Sequence, residues 1–141
     1  MDANKLIHLL FQSTRAISQG VNQVLAEYGL YSSEWSMLVA LKETGSISQI
    51  ALAGYLNIEP AAISKTLVKL EEKGLIERTA GNDKREKKVS LTDKALNQYA
   101  VWETAVSTHR QSILADLSNE KQHELAMMLH SIFSNSQKYK K

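Results

Sequence analysis

The sequence predicts a mainly α-helical chain with one small β-hairpin, a helix-turn-helix with a wing set between long N- and C-terminal helices. Three observations carry this expectation. A single Pro in 141 residues leaves long stretches free to be helical. Two Phe, two Trp and five Tyr are too few for an aromatic sheet core. Leu, Ile, Val and Ala must therefore fill it, which suits helices and excludes an all-β sandwich. Finally, hydrophobic spacing of three and four gives way to alternation in one place only.

The first helix follows from Leu6, Ile7, Leu10, Phe11, Ile17, Val21, Val24, Leu25 and Tyr28, about six turns of one amphipathic stripe closing near Gly29. Ser32 or Ser33 suits the cap of the next, whose inward residues are Trp35, Leu38, Val39 and Leu41 before Gly45 stops it. Ser48 opens a two-turn helix carrying Ile50, Ala51 and Leu56, and Asn57 fits the left-handed position that ends it. Ile58 is placed to plug the crossing to the following helix. Pro60 fits the first position there, with Ile63, Leu67 and Leu70 as the buried stripe and Gly74 as the stop.

After Gly74 the period changes. Residues Leu75 to Thr79 and Glu86 to Leu91 read as two strands around a polar tip, Ala80 to Lys84. Thr92 caps another long helix, with Leu96, Tyr99, Val106, Ile113 and Leu114 as its stripe and Trp102 and His109 nearby. Ser118 and Glu120 start a last helix with Leu125, Met128, Leu129, Ile132 and Phe133, fading into a polar tail from Ser134. The outer helices carry more apolar surface than a small winged lobe can cover. One domain over 1–141 is expected, with 32–92 as its winged helix-turn-helix lobe and 1–29 and 93–141 as dimerisation helices.

Composition removes several functions. Without Cys there are no disulfides, thiolate metal sites, cysteine nucleophiles or thiol redox sensors. The first ten residues hold Asp2, Asn4, Lys5 and His8, and so lack the pattern of a signal peptide. The apolar runs are too short for a membrane span, and a cytoplasmic protein is expected. Neither a Gly-rich phosphate loop nor a paired-carboxylate or Ser, His and Asp set is apparent, so no catalytic residue, enzyme activity or cofactor is expected. His123 and His130 share a face of the last helix with Glu120 and Glu124 near, but no tight ligand triplet forms, and no metal is expected.

The net charge of +2 is unevenly spread. Between Lys65 and Lys88 eight bases face five acids, so this segment is +3 and the remainder −1. An anionic partner would dock there. A helix that buries Ile63, Leu67 and Leu70 leaves Ala61, Ala62, Ser64, Lys65, Thr66 and Lys69 on or near its outer face. Small residues permit close approach to a major groove about 12 Å wide, while Ser64 and Lys65 can reach bases or phosphates. The bland alternative is a solvated face with ordinary lysines. Lys84, Arg85 and Lys87 occupy a tip narrow enough for a minor groove, although Arg85 can equally pair with Asp83. Ser48 and Gln49 begin a helix whose amides can face a phosphate, and Ser48 can equally be a plain cap. Tyr31, Trp35 and Trp102 can line a ligand crevice or simply fill core.

The run from Leu67 to Arg78, followed by Asp83-Lys84-Arg85 and Val89-Ser90-Leu91-Thr92, resembles the MarR family of bacterial transcriptional regulators. The wing signature of that family, Asp, Arg two residues on, then Leu-Thr, matches Asp83, Arg85, Leu91 and Thr92. The resemblance implies a homodimeric, double-stranded-DNA-binding regulator, a palindromic operator, and a small-molecule effector pocket between the dimer helices and the DNA-binding lobe. There are two departures. Glu59 stands where a small polar cap is commoner, and no Cys stands where peroxide-sensing members carry one. The rival function is a protein-interaction adapter that has lost DNA binding; the basic wing argues against it.

Overall fold

The structure, a computed structural model, describes residues 1–80 and 87–139. It is mainly α, with six helices and a small antiparallel sheet among the described residues. Two compact units make up the chain, Met1–Val106 and Ser107–Lys141.

In the first unit, helix α1 (Ala3–Leu25) starts on Asp2, whose carboxylate accepts from the Asn4 amide at 2.9 Å. Its stripe is buried only towards the end, at Val21 and Leu25, while Leu6, Ile7, Phe11 and Ile17 stay exposed. A 3-10 turn, Ala26–Tyr28, leads to Gly29 at φ 70°. There the chain reverses in a left-handed conformation open to glycine. The cap of α2 (Ser32–Thr44) differs from expectation: Tyr31, not Ser32 or Ser33, holds the cap position. Glu34 reaches back to accept the Tyr31 amide at 2.9 Å, which fulfils the capping role from three residues on. The Ser32 amide instead donates to Asn22 Oδ1 at 2.7 Å, and its hydroxyl shares a 2.6 Å bond with Ser18.

Helix α3 (Gln49–Leu56) is capped as expected, Ser48 Oγ accepting from the Ala51 amide at 3.1 Å. Its apolar residues divide between core and solvent. Leu52 and Ala53 enter the core, whereas Ile50 is 82% exposed and Ala51 is exposed too. Apolar residues lie on both sides of this eight-residue helix, and the side with Leu52 and half-buried Leu56 is the one packed against the core. Asn57 takes the left-handed conformation, φ 55°, and Pro60 opens α4 (Pro60–Glu72) with Ile63, Leu67 and Leu70 fully buried. Ile58 packs against the core beside the crossing.

The sheet has a strand that the periodicity does not predict. Strand β1 (Ile47–Ser48), two residues long, pairs with β3 (Lys87–Leu91), which pairs in turn with β2 (Ile76–Ala80), giving the order β1-β3-β2. A two-residue strand shows no alternation to read. Register sets Ile47 and Arg78 on either side of Val89, and Ile76 opposite Leu91. Thr92 secures the base of the hairpin: its hydroxyl donates to the Gly74 carbonyl at 2.7 Å and accepts from the Ala95 amide at 3.2 Å.

In α5 (Asp93–Ile113) the buried residues are Ala95, Trp102 and Val106, with Tyr99 half-buried; Leu96 and Ile113 are exposed. The run 95, 99, 102, 106 keeps helical spacing through both aromatic residues, and a small Ala lets the first turn sit close. One cluster joins the helices and the sheet of this unit, through Leu25, Leu38, Leu41, Leu52, Ile63, Leu67, Leu70, Val89 and Trp102. The second unit holds the end of α5 and helix α6 (Asn119–Gln137), capped by Ser118 and running past the expected end at Ser134. Leu125, Met128, Leu129, Ile132 and Phe133 are all exposed in the single chain.

Candidate nucleic-acid interface

Helix α4 is fixed from below by three fully buried aliphatic side chains and from its ends by Pro60 and Gly74. Its opposite arc is open. Ala61, Ala62, Lys65 and Lys69 are exposed, while Ser64 and Thr66 flank this arc half-buried on its two sides. Val68 is exposed as well, one turn beyond Ser64, and presents two methyl groups that the charge-based sequence reading passes over. Its helical position, four after Ser64 and three after Lys65, is the signal that places it on this arc.

Ser64 faces α3. Gln49 Nε2 donates to Ser64 Oγ at 2.6 Å, and Arg78 Nη1 from β2 donates to Gln49 Oε1 at 3.4 Å. Arg78 lies on the same strand face as buried Ile76, so period-two alternation turns its long side chain inward. Its Nε also lies 3.7 Å from Glu71 Oε2. Three elements are thereby joined behind the outer arc of α4. On the other flank Thr66 borders a cleft of about 330 Å³, lined also by Asn22, Tyr31, Ser32, Ser33, Glu34, Lys65 and Lys69.

Of the three aromatic residues singled out for a ligand crevice, two belong elsewhere. Trp35 and Trp102 are core residues, 6% and 3% exposed, and Trp35 stacks on Tyr99 with ring centroids 5.2 Å apart. Both large rings are packed in the Leu-rich core. Tyr31 is exposed and borders the cleft beside α4, which neither tryptophan lines. In the wing, Lys87 is exposed at the start of β3, whereas Lys84 and Arg85 lie outside the described residues. Among the described residues no group of three or more His, Cys, Asp or Glu is placed to hold a metal ion.

Glu34 is the one charged side chain in the core of the described residues, 1% exposed. Lys73, at the C-terminal end of α4, donates to both its oxygens at 2.8 and 2.7 Å and to the Gly29 carbonyl at 2.7 Å. The end of α4 is thereby fastened to the turn between α1 and α2. At the far end of α2, Tyr55 donates to Glu43 at 2.6 Å, and this bond, together with the carboxylate charge, holds the phenol above its ordinary pKa.

The fold and the open arc of α4 define a winged helix-turn-helix protein. Comparison with known proteins narrows the class. A family model described as the MarR family matches residues 30–87. A protein of Bacillus subtilis, described as an uncharacterized HTH-type transcriptional regulator, YwoH, is 39% identical over 115 residues, covering 82% of this chain and 84% of that protein. The chain belongs to the MarR family, and is a DNA-binding transcriptional regulator. Solved structures share the fold at lower identity. A MarR regulator from Methanosarcina mazei is 21% identical with a TM-score of 0.86, covering 99% of this chain and 94% of that one. A mutant of Escherichia coli MarR complexed with operator DNA is 22% identical with a TM-score of 0.79, covering 92% and 91%.

Proposed function

We propose that the protein is a cytoplasmic homodimeric repressor that occupies a palindromic operator and is released by a small-molecule effector. The observation that carries the reading is the division of α4 into a fully buried face and an open arc of small and basic residues. In this reading α4 of each copy enters a major groove, with Ala61 and Ala62 allowing close approach, Lys65 and Ser64 reaching base edges, and Thr66, Lys69 and Lys87 on the backbone. Ser48 and Gln49 lie at the start of α3, where amides can meet a phosphate. The effector is assigned to the cleft beside Tyr31, whose lysines suit an anion. Among the described residues no helix is long and apolar enough to cross a membrane.

Lys65→Ala is expected to cost about 1 to 3 kcal/mol of operator affinity and to relax preference at one position per half-site. Lys69→Ala should weaken all duplexes alike and lower the salt slope by about 1. Binding titrations on a duplex selected from a random pool decide this; two variants that bind like the parent overturn the assignment.

The dimer rests on apolar side chains left open in a single chain, Leu6, Ile7, Phe11 and Ile17 on α1 and Leu129, Ile132 and Phe133 on α6. A second copy related by a two-fold axis would cover them and space the α4 helices roughly 34 to 36 Å apart. Because Leu129 and Ile132 are exposed in the single chain, Leu129→Glu and Ile132→Glu are expected to leave the helical circular dichroism of the chain intact while converting dimer to monomer. Sedimentation at micromolar concentration measures it, and a parent that sediments as a monomer refutes the dimer.

A further inference from the structure

We infer that Gln49 and Arg78 form a relay that fixes the Ser64 hydroxyl as a hydrogen-bond donor towards DNA, making Gln49 a positioning residue for recognition. The inference rests on the reading of Ser64 as a DNA contact and adds to it the direction of the hydrogen bond.

What each group can donate or accept fixes the direction of both bonds. A guanidinium carries five N–H donors and no acceptor. The Gln49 atom 3.4 Å from Arg78 Nη1 must therefore be the carbonyl oxygen, since the opposite amide orientation would set donor against donor beside a fixed charge. With Oε1 turned to Arg78, Nε2 is turned to Ser64, 2.6 Å from Oγ. An amide NH2 cannot accept, so Ser64 Oγ is the acceptor in this bond. Its own proton must then point elsewhere. Among the described residues no carbonyl of α4 takes that proton, in contrast to Thr14, Thr44, Thr104 and Ser136, whose hydroxyls bond back to the carbonyl four residues earlier. Ser64 is half-buried at the edge of the open arc, which leaves the groove side as the direction for its O–H.

A hydroxyl usually rotates to suit either a donor or an acceptor. Held by Gln49, this one favours acceptors: purine N7, guanine O6, thymine O4 or a phosphate oxygen. An amino group of cytosine or adenine can meet only the one lone pair that Gln49 leaves, and is the weaker partner. Arg78 is well placed to bias the relay because its side chain is only 19% exposed and, with Glu71 3.7 Å from Nε, its Nη1 is turned to Gln49.

A double-mutant cycle tests the relay, with Gln49→Glu, Ser64→Ala and the pair measured against a duplex selected by the parent from a random-sequence pool. The introduced carboxylate can only accept, so it draws the Ser64 proton inward and turns lone pairs towards the DNA. Ser64→Ala alone should lose about three- to tenfold in affinity, the size of one hydrogen bond. Gln49→Glu should lose more than about tenfold in the parent, and at least about threefold less than that in the Ser64→Ala background, because the added charge acts in both but the reversed hydroxyl in only one. Losses that multiply independently overturn the relay while leaving Ser64 as a contact. A Ser64→Ala variant with parental affinity and preference removes the contact itself, and the relay with it. The same variants distinguish the acceptor. A base contact flattens preference at one position per half-site in Ser64→Ala and shifts it towards cytosine or adenine in Gln49→Glu, whereas a phosphate contact lowers affinity uniformly.

Discussion

Affinity for an operator duplex is expected to fall by about 10³ to 10⁵ between about 50 and about 200 mM salt. The magnitude follows from counting phosphates. Each neutralised phosphate releases condensed counterions, and roughly six to ten contacts give that range. One copy of the chain offers Thr66, Lys69, Lys87 and the amides at the start of α3 to the backbone, roughly three to five phosphates, and two copies double it. The charge that matters is local: the chain as a whole is only +2. Fluorescence anisotropy of a labelled duplex across a salt series measures the slope. A flat response would falsify recognition through the basic arc of α4.

Lys73→Met is expected to cost about 3 kcal/mol of stability, the low end for breaking a buried ion pair because Lys73 is itself 34% exposed. The variant leaves the Glu34 carboxylate, 1% exposed, with the Tyr31 amide as its donor. It also removes the ammonium from the Gly29 carbonyl and from the face of the Tyr31 ring, 5.5 Å away. Adding Glu34→Gln should recover more than half of the loss, since a neutral amide can still accept from Tyr31 without a buried charge. Thermal unfolding of the two single variants and the double variant decides it, with the first shifted down by roughly 10 °C. If the double variant is no more stable than Lys73→Met, the buried charge is not the cause.

The elements of this fold that were legible in the sequence are those with local causes. Gly45, Asn57, Pro60 and Gly74 each act through their own backbone preference, and all four sit where those preferences place them. Ile63, Leu67 and Leu70 declare the inner face of α4 by spacing alone, and so also the outer arc with Lys65 and Lys69. What was not legible depends on partners distant in the chain. Ile50 and Leu52 are equally apolar, and only the packing of α3 against its neighbours decides which is buried. β1 exists because β3, far along the chain, supplies its partner. Glu34 reads as a surface acid until Lys73 from the end of α4 meets it. At the candidate site the same division holds: the bases were visible as a charge cluster, whereas the Gln49 to Arg78 contact spans 29 residues and joins two elements that no local pattern relates. Trp35 and Trp102 were visible as large rings, but whether a ring lines a pocket or fills a core depends on what surrounds it.

β3 is the middle strand, and its register is set twice, by Ile47 and Ser48 on one side and by residues 76–80 on the other. A slip of one residue would turn Val89 out of the core and break both ladders together. The central strand is thus held from both of its edges, and the inward set of Val89 is written into Ile47 and Arg78 on two separate elements.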